Sequence, residues 1–124
     1  MTSSGYKGVP VRDISPTRFE VLVGEAIDLI PKDLLSLIDN VVFLIEDYGE
    51  HPDVLGLYDG IPLTERGEYG IGELPDRIFI YRKAICAICE SDEDIVHEVI
   101  TTVIHEVAHH FGIDDDRLHE LGWD

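Results

Sequence analysis

The chain has 124 residues, 44% hydrophobic and 28% charged, the composition of one ordinary globular domain. Twenty-six Asp and Glu against nine Lys and Arg leave a formal charge of −17. That field repels phosphate backbones and anionic lipid, which argues against nucleic acid and membrane surfaces as partners.

Runs such as residues 41–45 fall far short of the roughly 20 apolar residues a membrane helix needs. Met1-Thr2-Ser3-Ser4-Gly5 has neither the basic start nor the apolar core of a secretory signal, so the expected location is cytoplasmic.

In chain order, residues 1–15 read as a flexible arm and 16–124 as a single domain. Ser15-Pro16 opens a helix, with Ser as N-cap and Pro at the first helical position. Phe19, Leu22, Val23, Ala26, Leu29 and Ile30 follow at helical spacing. Pro31 interrupts, and Leu34, Leu35, Leu37 and Ile38 suggest a second short turn of helix ending near Asn40. Residues 41–45 form a β-branched apolar run and read as a buried strand.

Residues 51–56 are rich in turn formers, 57–60 suggest a short strand, and 62–72 a surface loop. The alternation over 77–82 is that of a half-exposed strand, and 84–90 suits a helix. Ser91 followed by Asp92, Glu93 and Asp94 is an acidic helix start, complementary to the helix dipole. That helix should reach Phe111 and stop at Gly112, with a last short helix over 117–121.

Cys86 and Cys89 are the only cysteines. One CxxC pair in a chain of this size points to a reducing compartment and to buried, inert thiols. A redox role would need a helix N-terminus, and no second CxxC completes a zinc site.

The chemistry is concentrated in His105-Glu106-Val107-Ala108-His109. Two His at i and i+4 lie one turn apart on one helix face and can converge on a single zinc ion. Glu106, rotated by about 100°, reaches a water at the metal in place of the metal itself, the position of a general base. His97-Glu98-Val99-Ile100-Thr101 has the same opening but lacks the second His. On the helical wheel Val96, Val99, Ile100, Val103, Ile104, Val107 and Phe111 gather on the core side, opposite His105 and His109.

A catalytic zinc takes three protein ligands and keeps one position open. Gly112 can turn the chain sharply, so that an acid three residues later folds back, giving HExxHxxGxxD with Asp115 as third ligand. Asp114 and Asp116 are near alternatives by spacing, His119 and Glu120 more remote ones, and all three Asp also suit the cap of the last helix. His110 falls on the core side and reads as a packed or capping residue, His97 as surface, and His51 as part of a loop.

The chain resembles the small zincin-like metallopeptidases of bacteria. The likeness rests on Asp39-Asn40-Val41, on residues 55–63 (LGLYDGIPL), 74–78 (LPDRI) and 80–82 (IYR), and above all on 102–115 (TVIHEVAHHFGIDD), followed by Arg117-Leu118 and Leu121-Gly122. The resemblance implies an α+β minimal zincin fold, a small mixed sheet packed against helices that include the HExxH helix. It implies one zinc per chain at His105, His109 and Asp115, with Glu106 as base, and places residues 55–63 at the cleft edge, where an extended substrate would pair. Metzincins differ: they carry His where this chain has Asp115 and a Met turn that Met1, the only Met, cannot supply.

The expected activity is zinc-dependent hydrolysis of a peptide or protein substrate, with water attacking the carbonyl as Glu106 takes its proton. Tyr58, Tyr69, Tyr81 and Arg77 are of the type that could steady the oxyanion, although each also has a structural reading. The competing readings are a non-catalytic zinc-binding interaction domain and a thiol-redox protein using Cys86 and Cys89. Oligomeric state is left open by the sequence.

Overall fold

The structure, a computed structural model, describes residues 14–38, 40–60 and 74–123. The arm up to residue 13, Asp39, the expected loop at 62–72 and the candidate Tyr69 lie outside the described residues. Helices α1 (Pro16–Leu29) and α2 (Lys32–Leu35) precede strands β1 (Val41–Glu46), β2 (Gly56–Asp59) and β3 (Asp76–Tyr81). Helices α3 (Arg82–Ala87), α4 (Asp92–His110) and α5 (Asp115–Leu121) complete the order. The architecture is α+β, a mixed three-stranded sheet with helices packed against it.

Helix α1 starts as its sequence dictates. The Ser15 side chain accepts from the Arg18 amide and Pro16 opens the first turn. Its inner face buries Phe19, Leu22, Val23 and Ala26, while Leu29, expected on that face, is 66% exposed. Ile30 takes its place in the core, because the chain leaves helical geometry there ahead of Pro31. Helix α2 is a single turn that buries Leu34 and ends well before Asn40.

Strand β3 is central, parallel to β1 and antiparallel to β2. This corrects the reading of residues 41–45 as a buried strand. β1 is an edge strand whose residues alternate between half-buried and exposed, and Val42 and Leu44 face outward. The deeply buried strand is β3, where Ile78 and Ile80 are fully covered because it has neighbours on both sides.

Helix α4 packs against α1 and against β2 and β3. Ser91 caps it by accepting from the Asp94 amide, and three acids fill its first turn. Ile95, Val99, Val103 and Val107 form its buried stripe and meet Phe19, Leu22, Ile78, Ile80 and Ile85 in one core. Phe111, expected in that stripe, is 43% exposed, since it lies past the last helical turn. Among the described residues no helix is long and apolar enough to cross a membrane.

Candidate active site

Gly112 shapes the end of α4 and the return of the chain. Gly112 adopts φ +74°, its amide donates to the His109 carbonyl, and the Ile113 amide donates to that of Ala108. This pair of bonds is a Schellman stop, and it reverses the chain so that α5 begins close to His105. Asp114 caps α5, its Oδ1 accepting from the Arg117 amide at 2.9 Å. Asp115, the next residue, is 80% exposed and places Oδ1 3.9 Å from His105 Nε2.

The rings of His105 and His109 lie parallel, 5.9 Å between centroids and 3° between planes, as expected one turn apart on one helix face. Both border a cleft of about 280 Å³ between α4 and the approach to β2, with Glu106, Glu98, Thr102 and Gly56. Among the described residues no three His, Cys, Asp or Glu side chains are already gathered closely enough to hold a metal ion. Ligand atoms about 2.0–2.1 Å from a tetrahedral zinc stand roughly 3.3 Å apart, so the His105–Asp115 pair at 3.9 Å needs only a small closure. Two imidazoles and a carboxylate are donors that zinc accepts, and in this sense the residues fit the ion.

Glu106 is positioned by β2. The Tyr81 amide donates to the Leu55 carbonyl, so by antiparallel alternation Leu57 and Asp59 face β3, while the backbone polar groups of Gly56 and Tyr58 turn outward. The outward Tyr58 amide donates to Glu106 Oε1 at 2.9 Å. Gly56 makes this approach possible: a Cβ there would sit 2.6 Å from Thr102 Cγ2 and 2.9 Å from the Phe79 carbonyl oxygen. The edge strand expected from residues 55–63 therefore lies beside the helix, with 61–63 outside the described residues.

His110 departs from the expected core placement. It is exposed, with its ring stacked on Tyr58 at 3.9 Å and edge-on to Phe111 at 5.0 Å. The last turn of α4 faces the end of β2, and His110, one turn beyond Glu106, meets the ring of the same tyrosine whose amide Glu106 holds. His97 and His51 are exposed, as expected. Glu120 pairs with Arg117 at 3.0 Å.

The other candidates for an oxyanion partner have structural occupations. The Tyr58 hydroxyl donates to Asp76 Oδ2 at 2.7 Å, and Arg77 pairs with Asp59. Tyr81 is buried beneath Gly49, and burial, reinforced by Glu46, Glu106 and other acids, raises its phenol above the ordinary range. Cys86 and Cys89 are free and buried. Burial raises the Cys86 thiol, and burial with Glu98 and Asp94 pushes Cys89 up to about 12. Neither has the low-pKa, accessible setting of a redox thiol.

The sequence reasoning missed two features. The Tyr58 amide is a backbone group and leaves no mark in the residue pattern. Glu98 lies seven residues before His105, two helical turns away on the same face, a spacing that could have found it.

A mixed sheet with its edge strand against an HExxH helix defines a small domain of the zincin type. The sequence model of the zincin-like metallopeptidase family matches residues 38–123, and the chain belongs to that family. No curated protein matches the chain.

Proposed function

We propose that the protein is a zinc-dependent peptidase in which His105, His109 and Asp115 hold one metal ion and Glu106 is the general base. The observation that carries this reading is the pairing of a parallel His105–His109 face with a Glu106 carboxylate held at the same cleft by the Tyr58 amide. Zinc, when bound, would supply a Lewis acid that brings the pKa of water near 7 and stabilises negative charge on the carbonyl oxygen.

The chain's own residues supply the rest. Glu106 Oε1 is held by one amide, which orients the carboxylate to take a proton from the attacking water and return it to the leaving amine. With the Tyr58 amide held by Glu106, the outward backbone of Gly56 and the Tyr58 carbonyl would offer an extended peptide a partner at the cleft edge. The substrate is a peptide or protein. Two free, buried thiols suit a reducing compartment, the cytoplasm.

The test is elemental analysis and peptide hydrolysis on wild type and Glu106→Gln together. About one zinc in each, with turnover in wild type alone, supports a peptidase. Zinc without turnover in either would leave a zinc-holding interaction domain. Equal activity in both would remove Glu106 from the mechanism.

A further inference from the structure

Thr101 and His105 line the cleft and also border a second cavity, of about 410 Å³, on the other flank of α4. Leu29, Pro31, Ile100, Ile104 and Trp123 supply its apolar wall. Trp123 is set there by a second Schellman stop: Gly122 takes φ +74°, its amide donates to the His119 carbonyl, and the Trp123 amide donates to that of Leu118. In a chain with 26 acids, no Asp or Glu among the described residues lines this cavity. Leu29, 66% exposed, leaves a large apolar side chain in the open beside it.

We propose that this cavity is a substrate subsite, which takes a bulky apolar side chain of the residue next to the scissile bond. The inference rests on the peptidase reading for its reaction, because His105 joins the two cavities. A peptide bond presented at His105 carries its neighbouring side chain within reach of the apolar wall. Burying a Leu-sized side chain there is favourable, whereas a carboxylate would lose its hydration against the apolar wall, with no Lys or Arg among the described residues that line the cavity beside His97 and His105. The substrate class is thus a peptide with Leu, Ile, Phe or Met at that position, and Asp or Glu there is rejected.

Trp123 is the only tryptophan, so its emission reports on the cavity directly. The probes are two blocked decapeptides of Ala and Gly, identical except for Leu or Asp at a central position, titrated into zinc-supplemented Glu106→Gln protein. The Leu peptide is expected to shift Trp123 emission with a Kd at least tenfold below that of the Asp peptide. Leu29→Glu, at a position 66% exposed, should abolish the difference, and Leu29→Ala should keep most of it.

Emission unmoved by a peptide that the wild type cleaves would overturn the subsite and leave the peptidase reading standing. An undiminished Leu preference in Leu29→Glu would overturn it as well. Trp123 responding to the Leu peptide when the wild type cleaves nothing would uphold the subsite and remove the hydrolysis.

Discussion

The backbone amide of Tyr58 donates to Glu106 Oε1 at 2.9 Å, so an edge strand holds the side chain that follows the first histidine of HExxH. The bond uses a group that β2 turns away from β3, and it ties the sheet to the helix at the cleft. Gln in place of Glu106 keeps an acceptor for that amide but cannot take a proton at neutral pH. Glu106→Gln is therefore expected to keep its melting temperature and zinc content while kcat on a peptide falls by about 10²–10⁴. Parallel calorimetry, metal analysis and kinetics check all three.

The acids after Gly112 should separate cleanly. Asp115 stands 3.9 Å from His105 Nε2, whereas Asp114 spends its carboxylate on the Arg117 amide. Asp115→Ala should lose most of its zinc and keep its stability. Asp114→Ala should keep the zinc and lose about 1 kcal/mol, the usual cost of a deleted N-cap. Metal titration and urea denaturation of the two variants decide it. Full zinc in Asp115→Ala would move the third ligand elsewhere.

Much of this was readable from residue patterns because it depends on local rules. Ser15 and Ser91 announce helix starts, Gly112 a helix stop, and the HExxH spacing a shared face. What the patterns miss is set by neighbours distant in sequence. Residues 41–45 look like a core strand, yet strand order puts β1 at an edge, and the apolar run marks a partly covered surface. His110 lies toward the core on an isolated wheel, but at the last residue of α4 it is exposed, beyond the buried Val107 and Ala108, and Tyr58 receives its ring instead. Leu29 has helical spacing, but the chain turns at Ile30 and leaves it in the open.

Gly56 is required by closeness and not by an unusual φ. A methyl group there meets Thr102 Cγ2 at 2.6 Å and the Phe79 carbonyl oxygen at 2.9 Å, and the backbone atom cannot rotate aside. Gly56→Ala must push β2 away from α4, with the strain of an overpacked core site, about 1–3 kcal/mol. The displacement would also lengthen the Tyr58–Glu106 bond. We expect lower stability in urea and a fall in kcat larger than any change in KM.

The thiols give stability a dependence on pH. Both pKa values are raised by folding, Cys89 to about 12, so the folded state holds these protons more tightly than the unfolded chain. The contribution is complete below the unfolded thiol pKa of about 8.5 and is lost as pH rises from there toward 12. Wild type should lose stability over that range faster than Cys89→Ala, as calorimetry at stepped pH would show. Ellman's reagent at pH 8 should react with the native thiols only on the timescale of unfolding. Immediate reaction would show that they are accessible.

Thr102 carries a cost at the same interface. It is 6% exposed, and its Oγ1 is buried without a hydrogen-bond partner among the described residues. Its Cγ2 is the atom that faces Gly56, so the methyl packs against β2 while the hydroxyl has given up water for nothing. A buried, unsatisfied hydroxyl costs about 1–3 kcal/mol. Valine keeps both branches of the side chain and removes the polar atom. Thr102→Val is therefore expected to raise stability by about 1 kcal/mol, read as a higher urea midpoint with an unchanged m-value. Because Thr102 also borders the cleft, the same variant should be assayed for turnover. Greater stability with full activity would mark the hydroxyl as dispensable, whereas greater stability with reduced kcat would mean that the orphaned oxygen finds its partner only when substrate is bound.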